Sequence, residues 1–390
     1  MSVLPSIKNA FIRIEGNEIV EFGVMKNLKS NPKVEIRNPN SIMDTKGGFV
    51  LPAWCDSHTH IVFSGSRENE FVDKIKGLTY EEIAQKGGGI LNSAILLNET
   101  SEEQLFDQSW KRLEEVKALG TGAIEIKSGY GLTVEGELKM LRVIKKFKEK
   151  SDLLIKSTFL VHTYPIEYRT DHQAYINLII NDLLPIIAKE NLADYIDVFC
   201  EEGFFNLTET QQIFEAGTRF GLKAKIHANQ LKNSGGVQLA VKNNAVSADH
   251  LECIGDEEIE CFSHSNTIPT LLPSAAFFLR LPYQPARKMI DAGLGVAIAT
   301  DYNPGSSPSG NMPFLLALSC IQLRMTPEEA INAATINGAC AMELETEVGS
   351  ITLGKKANII ITKPMPSLAY LPYSFGNNLI EKVIINGKIM

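Results

Sequence analysis

Eight short apolar runs recur along the middle of this 390-residue chain, at 54–60, 123–127, 154–162, 195–200, 223–227, 245–250, 267–272 and 295–301. Segments of helical character separate most of them, at 138–147, 175–187, 208–220 and 256–262. A further one opens with Ser101-Glu102-Glu103-Gln104, a capping box ahead of Leu105, Trp110, Leu113 and Val116. Strand followed by helix, eight times over this length, predicts an α/β fold closed into a parallel (β/α)8 TIM barrel rather than an open doubly wound sheet. The rival Rossmann-type sheet would carry G-x-G-x-x-G after its first strand; neither that turn nor a Walker loop is present.

Both ends break the pattern. Residues 7–45 hold short alternating strands at 11–14 and 18–22 around Glu15-Gly16-Asn17. Residues 349–390 hold others at 350–353, 358–362 and 382–385, ahead of the turn Asn386-Gly387. Unpaired strand edges need partners, so the two ends are expected to meet as one small discontinuous β-sandwich. This divides the chain into residues 1–50 and 346–390, forming the small β unit, and a barrel over 51–345.

Composition narrows the function classes. The chain is 44% hydrophobic and 22% charged, which supports a sizeable core, and its net charge is −8 with no long basic run. That balance argues against nucleic acid or an anionic membrane surface as the main partner. The first residues lack the basic-then-apolar order of a signal peptide, and the most apolar window, 314–323, is broken by Ser319 and Gln322 and too short for a bilayer. The six cysteines are scattered without a C-x-x-C pair, so they read as reduced residues of a cytoplasmic protein.

The chemistry concentrates at the strand ends. In Asp56-Ser57-His58-Thr59-His60, residues two apart on a strand share a side, so His58 and His60 both point into the barrel mouth. Barrel enzymes place their active sites at that end. An isolated H-x-H would read better as two unconnected histidines, but five of the seven histidines close predicted strands: His58, His60, His162, His227 and His250. Asp301 closes the eighth, whereas His172 and His264 fall in helical segments and read as ordinary histidines. Three imidazoles with one carboxylate suit a single catalytic metal that keeps an open position for water. Read alone, Arg67 would be a surface residue beside Glu68 and Glu70, and Tyr130 a core tyrosine. Gly87-Gly88-Gly89 has no following Lys-Ser/Thr, which favours a loop over the mouth above a phosphate cradle.

Longer motifs now carry a resemblance. The run 51–60, LPAWCDSHTH, is similar to the first-strand signature of the amidohydrolase superfamily, and 349–361, GSITLGKKANIII, to its closing strands, with Asn358 where an aspartate is usual. Phe63-Ser64-Gly65-Ser66-Arg67, the glycines 87–89, the 125–132 run EIKSGYGL, the 199–203 run FCEEG, Ser247-Ala248-Asp249-His250 and the 300–306 run TDYNPGS resemble the imidazolonepropionase family in order and over nearly the whole chain. The resemblance implies hydrolysis of the ring amide of 4-imidazolone-5-propanoate to N-formimidoyl-L-glutamate by a metal-activated water, in histidine degradation. It implies one Zn2+ or Fe3+ held by His58, His60, His227 and Asp301, and substrate contacts from Arg67, Tyr80, Tyr130, His162, Gln230, Asn303, Gly305 and Ser306.

Two departures qualify the carry-over. Some relatives have glutamate where Gln230 stands, and a carboxamide is no general base near pH 7, so Gln230 can only position substrate or water. Proton transfer then falls to Asp301, with His250 as its helper. Binuclear superfamily members end strand four in a carboxylated lysine; here that strand ends Phe199-Cys200-Glu201, so a second ion would depend on Glu201. Lys127 reads instead as a charge partner inside the barrel. A homodimer is the default assembly. Competing readings are another cyclic-amide hydrolase, a nucleobase aminohydrolase without need of a carboxylate clamp, or a non-enzymatic barrel scaffold, which would typically have lost its ligands.

Overall fold

The computed structural model describes residues 1–30, 42–78, 82 and 88–390. Three N-terminal strands, β1 (Ala10–Glu15), β2 (Glu18–Val24) and β3 (Gly48–Pro52), precede the barrel. The barrel strands are β4 (Trp54–Thr59), β5 (Thr121–Lys127), β6 (Leu154–Val161), β7 (Tyr195–Cys200), β8 (Lys223–Ala228), β9 (Ser247–His250), β10 (Ile268–Leu271) and β11 (Ala297–Ile298). Each pairs in parallel with its sequence neighbours, and helices connect them on the outside. The expected (β/α)8 architecture is therefore the observed one.

The barrel closes at the site itself. Between the first and last strands the seam is carried by Asp301 N–H donating to His58 O and His60 N–H donating to Tyr302 O, both at 2.9 Å. Asp56 adds a second clasp, accepting Thr300 N–H at 2.9 Å and Thr300 Oγ1–H at 2.7 Å. Strand β11 is shorter than the expected 295–301 because the chain turns out of the ladder, with Asp301 at φ +54°. That left-handed conformation is costly for a non-glycine residue, and the seam hydrogen bonds hold it.

Alternation along the strands splits the interior into two environments. Ile124, Ile126, Ile196, Val198 and Ile226 join Leu113, Leu141, Ile144, Phe147, Ile213 and Phe214 of the covering helices in one apolar cluster. Their neighbours Glu125, Lys127, Asp197, Lys225 and Asp249 are fully buried on the other side, so the barrel's inside is a charged layer rather than an apolar plug. Beneath it, helix Ile336–Cys340 lies directly on β4: a Cβ at Gly338 would fall 2.2 Å from Cys55 O, an approach only glycine permits.

The chain ends meet, as strand edges require. Strands β12 (Ile359–Pro364), β13 (Ile380–Ile385) and β14 (Lys388–Ile389) form an antiparallel sheet whose far edge is β3, and the β1–β2 hairpin docks through Ile19 N–H to Lys355 O and Ala357 N–H to Asn17 O. One expected strand is absent. Residues 350–353 are irregular between Gly349 and Gly354, both at positive φ, and Lys355 Nζ binds Val348 O and Ser350 Oγ beside them. The expected helix 175–187 is also interrupted: His172–Leu178 and Leu184–Glu190 flank a π-helical turn, Ile179–Leu183. Pro185 has no N–H to continue the i−4 ladder, and the wider turn absorbs the break.

Candidate metal centre and active site

Strand β4 delivers two imidazoles to one face, as its period of two requires, and β8 delivers a third. Nitrogen atoms of His58, His60 and His227 lie within 4.8 Å of one another, all buried. His58 Nε2 and His60 Nε2 are 3.2 Å apart, and Asp301 Oδ1 approaches them at 3.5 and 3.4 Å. Burial and the nearby Lys127 ammonium hold His58 well below the usual imidazole range; burial also lowers His227. Burial would raise Asp301, but the His60 hydrogen bond and surrounding imidazoles keep it below the usual carboxylate value.

The inner nitrogens explain the orientation. His58 Nδ1 lies 2.6 Å from Asp249 Oδ2, and His227 Nδ1 lies 3.0 Å from Asp197 Oδ1. Both aspartates are held below their usual range against the effect of burial, by Lys127 and, for Asp197, by His227 first. Acceptor-only carboxylates place the proton on Nδ1, which leaves Nε2 of each ring as a bare lone pair turned inward. Converging lone pairs and a carboxylate oxygen repel one another unless a cation sits among them, so this donor set fits a metal ion. Glu201, the expected recruit for a second ion, is engaged elsewhere: its carboxylate accepts the backbone N–H groups of Gln230, Leu231 and Lys232 at 3.0, 3.0 and 3.2 Å.

Above the cluster stand two rings. Tyr130 and His162 lie 5.7 and 6.3 Å from the His60 ring, and 5.5 Å from each other. His162 is stacked almost parallel to His60, and burial followed by its imidazole neighbours lowers it well below the usual value. Tyr130 is held by its loop, because buried Glu137 accepts N–H from Gly129, Gly131 and Leu132 at 2.8, 2.7 and 2.9 Å.

Arg67 faces the same space. Its Nε donates to Ser93 Oγ at 2.8 Å, its Cζ is 6.0 Å from the Tyr130 ring centre, and its buried Nη2 has no hydrogen-bond partner among the described residues. Gly305 makes room for the guanidinium, since a Cβ there would lie 2.6 Å from Arg67 Nη1. Asn303 folds the 303–306 loop by accepting N–H from Gly305 and Ser306 at 2.8 Å, and Ser306 Oγ donates to Asp301 Oδ2 at 3.0 Å.

The remaining residues are less uniform. His250 lies on the opposite side, its ring 5.6 Å from His58 and 5.2 Å from His227. Burial opposes a charge on it, but Glu252, 3.7 Å from its Nδ1, and Asp301 outweigh that and raise it. Gln230 is half-buried in the loop after β8, anchored by its backbone. Tyr80 lies outside the described residues, as does Gly87. His172, which opens its helix, stacks on Tyr164 and pairs with Glu209, and His264, just past the helix Asp256–Ser263, pairs with Glu260.

Sequence reasoning missed Asp197, Asp249, Glu125, Lys225, Glu137 and Glu252. A signal for four of them was present: charged residues at alternate positions inside otherwise apolar strands have no place unless they face one another.

Comparison with known proteins is consistent throughout. Residues 206–390 match a model described as "Amidohydrolase family". The imidazolonepropionase of Flavobacterium johnsoniae is 59% identical over 391 residues, covering 100% of this chain and 94% of its own. That of Alkaliphilus oremlandii is 41% identical, covering 98% and 90%. Among solved structures, a 5-methylcytosine deaminase from Klebsiella pneumoniae superposes with TM-score 0.75 at 14% identity, covering 97% of this chain and 93% of that one. An adenosine deaminase from Xanthomonas campestris with bound zinc superposes with TM-score 0.73 at 15% identity, covering 98% and 88%; these two support the fold alone. On sequence, fold and the convergence of its histidines, the chain belongs to the imidazolonepropionase family of amidohydrolases.

Proposed function

We propose that this chain hydrolyses the ring amide of 4-imidazolone-5-propanoate to N-formimidoyl-L-glutamate, a step of histidine degradation. The observation that carries this reading is a cation beside the histidine cluster: Arg67, whose buried Nη2 has no partner among the described residues, lies against Tyr130, which in turn lies against His60. A planar ring with a carboxylate arm fits that pairing, because a guanidinium binds a carboxylate through two parallel hydrogen bonds.

His58, His60, His227 and Asp301 would hold one Zn2+ or Fe3+, which when bound supplies Lewis acidity toward water and the ring carbonyl. The chain's own residues do the rest. Asp301 accepts the proton of the attacking water at Oδ1 or Oδ2 and returns it to the ring nitrogen as the C–N bond breaks. Ser306 holds the carboxylate in place through its hydroxyl. His250, kept cationic more readily by Glu252, stabilises negative charge developing on the carbonyl oxygen. Tyr130 and His162 flank the ring, and Asn303 and Gly305 shape the wall against which Arg67 rests. Gln230 orients substrate through its carboxamide. The barrel, 51–345, is the catalytic unit, with 1–50 and 346–390 as its β-rich companion.

Loss of the substrate's ultraviolet absorbance, with mass identification of the product, tests the reaction directly. Turnover that disappears on chelation and returns with Zn2+ or Fe3+ is the expected result. Metal-replete protein that leaves the substrate intact would discard the substrate assignment. Metal analysis should give one equivalent per active chain; two would return Glu201 to the ligand set. Gln230→Glu should retain activity and Gln230→Ala should raise KM several-fold, while unchanged kinetics in Gln230→Ala would remove that residue from the site.

A further inference from the structure

The charged layer beneath the metal centre has one feature that the reaction does not by itself require. Lys127 Nζ lies 2.6 Å from Glu125 Oε1, 2.7 Å from Asp197 Oδ2 and 3.4 Å from Asp249 Oδ2, all four side chains fully buried. The first two are hydrogen bonds from one ammonium, and the approach to Asp249 is an ion pair. Asp197 and Asp249 belong to β7 and β9, which do not pair with each other, and Lys127 reaches both from β5. Each aspartate also contacts a histidine of the cluster: Asp197 Oδ1 lies 3.0 Å from His227 Nδ1 and accepts His227 N–H at 3.1 Å, and Asp249 Oδ2 lies 2.6 Å from His58 Nδ1. Ser247 Oγ donates to the other oxygen of Asp249 at 2.5 Å, so that carboxylate can rotate little.

We propose that Lys127 is a positioning residue that couples two ligand histidines: one ammonium clamps Asp197 and Asp249, and through them fixes the tautomer and ring orientation of both His227 and His58. Lys225 differs in this respect. It pairs with the other oxygen of Glu125 and donates to Ala341 O at 3.0 Å, balancing charge without an ion pair to either aspartate. The layer holds three carboxylates and two ammonium groups, so it carries one net negative charge beneath the cation it supports. A carboxylate free to swing would let its imidazole rotate and donate through the wrong nitrogen, and supporting contacts of this kind control metal affinity by about 10- to 100-fold.

The inference rests on the metal reading above, and the test keeps the two apart. Co2+ binding to chelated wild-type protein, followed by its visible absorption and by competition with a chromophoric chelator, gives the reference; a wild type that binds no Co2+ sinks the metal reading itself. Lys127→Met should bind Co2+ at least about tenfold more weakly, with a shifted visible band, lowered kcat and little change in KM. The double variant Lys127→Met/Glu125→Gln restores the wild-type net charge of the layer while removing the ammonium from both aspartates. Persistence of the weak binding and the shifted band in the double variant supports positioning, whether or not the single variant folds. Recovery of both shows that Lys127 only balances charge, and failure of the double variant to fold assigns it to the fold; either result overturns the proposal.

Discussion

Asp301→Asn is expected to lower kcat by about 10³-fold or more, with KM changed far less. The substitution keeps the shape of the side chain and can keep a hydrogen bond to Ser306 Oγ, now 3.0 Å from Oδ2. What it removes is the only carboxylate oxygen placed against both His58 Nε2 and His60 Nε2 among the described residues. A carboxamide can neither accept the proton of the attacking water nor return it to the leaving nitrogen. Metal content must be measured on the same sample, because one ligand is weakened as well. Reloaded protein with a full complement of metal and no turnover identifies the lost function as proton transfer. His250→Gln should be at least tenfold less severe by comparison with the ~10²–10⁴-fold that a positioned acid or base contributes. The reverse order of severity would transfer the proton to His250.

Arg67→Met should raise KM by roughly 100-fold or more, since leaving a buried charge pair unmade costs about 2–5 kcal/mol. Methionine retains the apolar stem against Tyr130, so the fold should be little affected. The informative control is a substrate whose propanoate is masked as an amide. It should lose a similar factor on the wild type and lose little more on the variant, because the same interaction is missing in both. A variant that still prefers the free carboxylate would place the clamp elsewhere, with Lys74, whose Nζ lies 3.4 Å from Gly305 O, as the next cation to test.

Much of the site was legible because strand periodicity is strict. His58 and His60 had to share a face, and histidines closing several parallel strands had to converge once the barrel was accepted. The supporting layer was harder to see. Asp197 and Asp249 are separated by 52 positions and Lys127 by a further 70 from Asp197, so no local pattern links them; only closure of the sheet sets them face to face. The errors at the edges have the same origin. The segment 350–353 has strand-like residues but sits between two glycines at positive φ, and strand β11 is cut short because Asp301 turns to join the seam.

The order of strands and helices, the facing of His58 with His60 and the family itself were determined by the sequence alone, because alternation, capping and motif order are local properties of the chain. The tertiary structure decided which histidines have their Nδ1 atoms tied to carboxylates, that Glu201 anchors a loop, that the buried Nη2 of Arg67 has no partner among the described residues, and that one lysine spans two aspartates. These depend on distances between residues far apart in the chain, and such distances exist only after the barrel has closed and excluded water from its interior.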